Sequence, residues 1–176
     1  MTKPITVVPY RASWPAEFEA SARQVADAFG ARLVEIHHIG STAIPGIHAK
    51  PVIDMLAVVD DVRRLDDDAN PRMAAIGYEA MGEFGIPGRR YFRRDDAAGN
   101  RTHQVHAFDV GSPDVERHLA FRDFLRAHRE WAEAYDALKR RLTQKPVDID
   151  AYMDGKDPFI KDVQARALAW RENRTP

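Results

Sequence analysis

The segment "HHIGSTAIPGIHAKPVIDMLAVV", His37 to Val59, sets Gly40-Ser41-Thr42 directly after one apolar run and a single acid, Asp54, inside the next. Gly-Ser/Thr at the end of a strand, followed by a helical turn, directs backbone N–H groups and hydroxyls at an anion, and phosphate suits such a corner. The ordinary reading of that triplet is a turn. Asp54 argues for more, because an ionised carboxylate among Val52, Ile53, Met55 and Leu56 is strongly disfavoured unless a cation sits beside it. Lys50 is the structural candidate for that cation. A divalent metal bridging Asp54 to a phosphate is the functional one, since carboxylate and phosphate oxygens suit Mg²⁺. Metal and phosphate together are the equipment of phosphoryl or nucleotidyl transfer.

Seven histidines widen the choice of ligands and bases. In "THQVHAFD" the two-residue period of a strand puts Gln104 and His106 on one face and His103 on the other. His106 is the best placed imidazole for metal ligation or proton transfer, and His103 comes second. One carboxylate with imidazole suits Mn²⁺, Zn²⁺ or Ni²⁺ better than Mg²⁺. His118 and His128 fall on an amphipathic helix and read as surface or capping groups; His48 reads as a loop residue, and His37 and His38 point to opposite faces of a strand. "GRRYFRRD" alternates Arg89/Tyr91/Arg93 with Arg90/Phe92/Arg94. A charge-protected edge strand explains that pattern, and Arg93 is the arginine taken as a phosphate contact if its face borders the cleft.

The elements that must position these groups follow from periodicity. "ITVV", residues 5–8, reads as an edge strand or extended arm. Ser13 as cap and Pro15 in the first turn start a helix whose apolar positions Phe18, Ala22, Val25, Ala26 and Phe29 run to Gly30. "ARLVEIHHIG" and "PVIDMLAVV" are strands, the second apolar enough to be covered on both faces. A helix is expected from Asp61 to about Ile76, then three strands in "GYEAMG", "RRYFRRD" and "THQVHAFDV", giving a mixed sheet. Ser112-Pro113-Asp114 caps two helices, or one bent near His128, along which Phe121, Phe124, Trp131 and Tyr135 form a packing stripe. A last helix starts or is interrupted near Asp157-Pro158.

The totals bound the partners. With 176 residues, 44% hydrophobic and 30% charged, the chain is long enough for one buried core. No stretch approaches the roughly 18 apolar residues of a membrane span, and the N-terminus lacks the apolar segment of a signal peptide, so a cytoplasmic protein without a membrane partner is expected. The absence of cysteine excludes disulfides and thiolate metal sites. A net charge of −1 from 26 basic and 27 acidic residues disfavours a nucleic-acid partner while leaving room for a local phosphate site.

"HIGSTAIPG", "KPVIDMLAVV", "YFRR", "THQVHAF", "RHLAFRDFLRAH", "YDALKRRL" and "KDPFI" together resemble the GrpB family from Tyr10 to about Trp170. That family's fold resembles the nucleotidyltransferase superfamily, in which a Gly-Ser corner positions a nucleotide triphosphate and two carboxylates on the next strand hold two Mg²⁺ ions. The resemblance implies an α+β fold, a mixed sheet flanked by helices, as one domain over 1–176 with an α/β core at about 10–111 and a helical portion at 112–176. It implies that Gly40 and Ser41, with Thr42 beside them, seat the phosphates, that Asp54 is the first carboxylate, and that Tyr152 and Lys156 are neighbours of the site. Leu56 stands where the second acid belongs, and leucine binds no metal.

Three functions are therefore expected in order. The first is a nucleotidyltransferase-like protein that binds a nucleotide triphosphate with a divalent metal and passes a nucleotidyl group to a hydroxyl; Asp54 and His106 are catalytic, Lys50, Arg93 and Lys156 neutralise charge. The second is a non-catalytic nucleotide- or phosphate-binding module serving coenzyme A metabolism. The third is a metal-dependent hydrolase using Asp54, His103 and His106.

Overall fold

The computed structural model describes residues 3–174. Among the described residues five strands form one sheet in the order β1-β2-β5-β4-β3. Strands β1 (Leu33–Ile39) and β2 (Ile53–Val59) are antiparallel. β2 runs parallel to β5 (Arg101–Asp109), which pairs antiparallel with β4 (Arg90–Asp95), and β4 with the two-residue β3 (Glu79–Ala80). This is the mixed α+β sheet the sequence leads one to expect. Parallel neighbours need a crossover, and the segment between β2 and β5 supplies it. It breaks twice where one helix was expected: a 3-10 turn over Val62–Arg64, then α2 (Leu65–Asp68) and α3 (Asn70–Ala75). Pro71 is the reason for the second break, since it lacks an N–H and its ring excludes the carbonyl four residues back.

Register sorts the side chains of the central strands into two layers. Ile53, Met55 and Ala57 pair with His103, Val105 and Ala107, and the apolar members of that set join Val25, Phe29, Met73 and Phe92 in the core beneath α1 (Trp14–Phe29) and α3. Asp54 and Leu56 pair with Gln104 and His106 on the opposite face. There Leu56 is fully buried with Ile39, Phe108 and Leu119. The position two residues beyond Asp54 is thus a packing position against α4 (Pro113–Ala127).

The helical half is built on caps. Ser112 accepts the Asp114 N–H to start α4, and His128 separates α4 from α5 (Arg129–Leu142), so two helices form there. The third, α6 (Ile149–Glu172), begins at Asp148, whose carboxylate accepts the Ala151 N–H at 2.9 Å. It passes through Pro158 without interruption, against the expected start or break at Asp157-Pro158. Pro158 and Asp154 are both exposed, so the Asp154 carbonyl that Pro158 leaves without its helical donor faces water. Ser13 also differs from expectation: its hydroxyl pairs with Glu17 rather than with a backbone N–H. Residues 5–8 form an extended arm held by the Ile5 N–H to Val147 and the Val8–Ala49 bridge.

The continuous α6 carries Tyr152 and Lys156 one turn apart on its inner face, both buried. Replacing its cap, Asp148→Ala, is expected to lower stability by about 1 kcal/mol, read as a shifted urea midpoint at unchanged slope. An unshifted midpoint would mean that the cap does not hold the start of α6.

Candidate functional site

Gly40 ends β1 at φ +74° and ψ −175°, a backbone region that belongs to glycine. A Cβ on this residue would lie 2.7 Å from Asp54 Oδ2. The lack of a side chain therefore lets the corner close directly over the carboxylate. Beyond it Ser41–Ala43 form only one 3-10 turn, so the dipole expected of a helix start is slight, and side chains must supply most of the charge.

Those side chains line a cleft of about 320 Å³ between the sheet face and α4, α5 and α6, at the small end of ligand-pocket sizes. Asp54 contributes the acid. Its Oδ1 accepts the His106 Nε2–H at 3.2 Å, and Arg89 donates to His106 Nδ1 at 3.2 Å. The arginine thereby fixes the imidazole tautomer with its proton on Nε2, facing Asp54. Lys50 and Lys156 approach the Tyr152 ring, with their Nζ atoms 5.8 and 4.4 Å from its centroid. Both feel Asp54: burial lowers the Lys50 pKa and Asp54 opposes the shift. For Lys156, burial first and then repulsion from Lys50 lower the pKa to about 8, against the pull of Asp54. Asp54, only half-buried, is thus balanced by lysines and an imidazole N–H of the chain itself.

Tyr135 lines the same cleft as Ser41; burial pushes its phenol up to about 12. Tyr152 is fully buried, and its hydroxyl has no hydrogen-bond partner among the described residues. Burial, then Tyr135, raises its pKa. Arg117 and His118 come from α4. Arg117 is tethered to Asp114, and His118 Nδ1 bonds the Asp114 carbonyl at 2.7 Å. Its other nitrogen is then a lone-pair acceptor, kept neutral by burial and Arg117, which lower its pKa to about 4.

Behind the corner, α5 clamps the loop that follows it. Asp136 accepts from the His48 N–H and pairs with its Nδ1, and Lys139 donates to the His48 carbonyl. Lys139 is 1% exposed. Burial, then Lys156, lowers its pKa to about 7.

Of the residues singled out in the sequence, Gly40, Ser41, Thr42, Lys50, Asp54, His106 and Lys156 meet in this cleft. Thr42 meets it with its hydroxyl committed: Oγ1 donates to the Val52 carbonyl at 3.0 Å and accepts from His38 Nε2 at 2.9 Å. It is a brace for the corner. His103 must be corrected as a metal ligand beside Asp54. It lies on the other face of β5, bonded to Ser21 and Arg94, so the hydrolase set Asp54/His103/His106 does not assemble. Arg93 shares the face of Gln104 but sits on Glu79 at 2.8 Å and does not line the cleft. Arg89 is the arginine of that run that reaches the site, through His106.

The donor set does not suit a resident divalent ion. Asp54 offers one carboxylate, Leu56 is apolar, and His106 presents a proton where a metal would need a lone pair. A ligating imidazole normally donates its second N–H to an acceptor, whereas His106 Nδ1 receives a donor.

Tyr152, which the resemblance places beside the site, also lines the cleft. Three further cleft residues do not stand out in the sequence: Tyr135, Arg117 and His118 read as packing or helix surface, and periodicity alone cannot distinguish an inward face that meets a core from one that meets a cleft.

Fold and cleft together define a mixed-sheet α+β protein with a cationic pocket at a Gly-Ser corner. A family model described as GrpB protein matches residues 4–166, and the chain belongs to that family. The UPF0157 protein YqkA of Bacillus subtilis is 41% identical over 171 residues, covering 97% of this chain and 49% of the relative. A dephospho-CoA kinase of Mycolicibacterium paratuberculosis is 30% identical over 194 residues, 97% of this chain and 47% of that protein. This chain therefore spans about half the length of these two curated relatives. The crystal structure of conserved protein GrpB from Enterococcus faecalis superposes with TM-score 0.89 at 39% identity, covering 94% of this chain and 99% of that one. The Cid1 poly(U) polymerase matches at TM-score 0.44 and 9% identity over 72% of the chain, too distant a likeness to bear on function. Among the described residues no helix is long and apolar enough to cross a membrane.

Gly40→Ala forces a β-carbon against Asp54 and a disfavoured backbone, and is expected to destabilise by about 1–3 kcal/mol. The double variant Gly40→Ala/Asp54→Gly should lose less than the two single effects summed, because the clash is shared. Strict additivity in urea unfolding would show that Gly40 and Asp54 do not press on one another.

Proposed function

We propose that the cleft binds a phosphate-bearing small molecule of the nucleotide class, with its phosphates on Ser41, Lys50 and Lys156 and its apolar part against Phe121, Met153 and Ile160. The observation that carries this reading is the imbalance of donors. Lys50 and Lys156 line a pocket that holds one carboxylate, Asp54. Lysines in excess of their acid, Lys156 among them buried, are stabilised by an anion with several acceptor oxygens, and a di- or triphosphate is such an anion. The Gly40 corner and the hydrogen bonds of Thr42 to Val52 and His38 hold the seat in place before the ligand arrives.

Within this reading Asp54, fixed by His106, faces the phosphate seat as a proton acceptor for a second substrate's hydroxyl. That is the step nucleotidyl transfer would require of the chain's own residues. A module without turnover is the second reading. Leu56 favours it, since the second acid is replaced by a residue the core needs, and the match to part of a dephospho-CoA kinase is in keeping with a nucleotide-handling module beside another activity.

Calorimetric titration with ATP, CTP, GTP, UTP and inorganic pyrophosphate tests the proposal. Binding of at least one is expected to persist in EDTA and to weaken about tenfold or more in Lys156→Met. No binding at millimolar concentration would overturn the reading; binding that requires metal and vanishes in Asp54→Asn would replace it with a metal-mediated one. The pH dependence has a definite sign. Free Lys156 loses its proton above about 8, and a bound phosphate favours the charged lysine, so affinity should fall as pH rises through that value with proton uptake on binding. Stability of the free protein moves oppositely. The folded pKa lies below the unfolded one, so Lys156 contributes a gain in stability as pH rises from about 8 towards 10.5.

A further inference from the structure

A second cleft, of about 630 Å³, shares only Thr42 with the first among its lining residues. Its walls come from α1, the end of β1, the segment after Ser41, and the last turns of α4 leading into α5. Arg122, Arg126 and Arg129 line it, and Glu19 is the one acid among the lining residues.

Two of these guanidinium groups are tied down. Arg122 Nη1 donates to the His38 carbonyl at 3.2 Å, and Arg126 Nε donates to the Ala43 carbonyl at 2.9 Å. They therefore bracket the Gly40 corner from its two ends, one helical turn apart on α4. Asp123 offsets part of the charge by accepting from Arg122 Nε at 2.8 Å. Arg126 lies close enough to Arg122 for the two charges to repel. Beside the arginines lies a flat apolar platform: the His38 ring stacks on Phe18 with centroids 4.8 Å apart and planes 7° from parallel. His38 brings no charge to it, since burial first and then Arg126 hold its pKa to about 4.

Tethered guanidinium forks recognise phosphate oxygens in a fixed direction, and a tether spends part of the ordering entropy before the ligand binds. We propose that this cleft is a second binding site, for a small phosphate-bearing molecule with a planar ring, its phosphate on Arg122 and Arg126 and its ring against Phe18. The site does not depend on the first cleft's ligand. The two are nonetheless linked through Thr42, which receives the His38 N–H from the second cleft and braces Val52 beside the first. A ligand that orders the corner from one side lowers the cost of ordering it from the other, and the coupling is reciprocal.

Amide-resonance titration of the full chain with inorganic pyrophosphate, then with a nucleoside monophosphate, tests this. Two sets of shifts are expected, one near Ser41 and Lys156 and one across Phe18, Ala43 and Arg122–Arg129. Arg126→Glu, at an exposed position, should weaken the second set about tenfold or more and leave the first, while Lys156→Met should do the reverse. Arg126→Lys, which keeps the charge but not the fork, should retain less than half of the lost affinity. A second set absent at millimolar pyrophosphate, or unchanged in Arg126→Glu, would overturn the proposal. So would a single-stranded oligonucleotide that moves this set at far lower concentration than the monophosphate, which would make the cleft a polyanion surface instead. Loss of the first set alone would count against the proposed function and leave this one standing.

Discussion

Lysine charge gathered at the edge of the core, with Asp54 and Asp136 as the acids that answer it, is the constraint on which the rest of this structure turns. Lys50 and Lys156 lie over the Tyr152 ring, Lys139 sits behind them under the His48 carbonyl, and Asp54 is the acid that Lys50 and Lys156 both feel. Desolvation opposes each charged lysine, and each repels the next. Such a cluster persists only if the surrounding fold over-determines it. The sheet fixes Asp54 and His106, α5 fixes Lys139, and α6 fixes Lys156, so three separate elements converge on one small volume.

The Gly40 corner connects that charge to the geometry of a binding seat. Glycine lets backbone lie where a side chain would otherwise stand, within van der Waals reach of Asp54. His38 and Val52 hold Thr42, and α4 reaches both ends of the corner through Arg122 and Arg126. Nothing in this arrangement depends on the 3-10 turn acting as a helix dipole. The same brace separates two clefts of different chemistry, lysine and tyrosine on one side, arginine and stacked rings on the other.

Much of this was legible in the chain itself. The apolar run around Asp54 announced a central strand with one misplaced acid, and two-residue alternation in "THQVHAFD" already separated His106 from His103. Helix α1, the α4–α5 break and the mixed sheet followed from caps, period and length. The period over Asp61–Ile76 overstates the crossover helix because Pro71 falls inside it, and Pro158 reads as a start or a break of α6 because the sequence does not show that its side of the helix is exposed. Tyr135, Arg117 and His118 stayed hidden for a different reason: an amphipathic period says that a residue faces inward and is silent on whether the inward space is filled. Family resemblance pointed to Lys156, while Lys139 was visible only as one of several basic residues in "ALKRRL".

Lys156 is held as a reluctant cation whose natural partner is an anion. Direct titration of its side-chain nitrogen by heteronuclear NMR, free and with inorganic pyrophosphate, tests this. A free pKa near the value of about 8 that burial and Lys50 impose is expected, rising when the anion binds. An ordinary lysine pKa of roughly 10.4, unmoved by pyrophosphate, would contradict it.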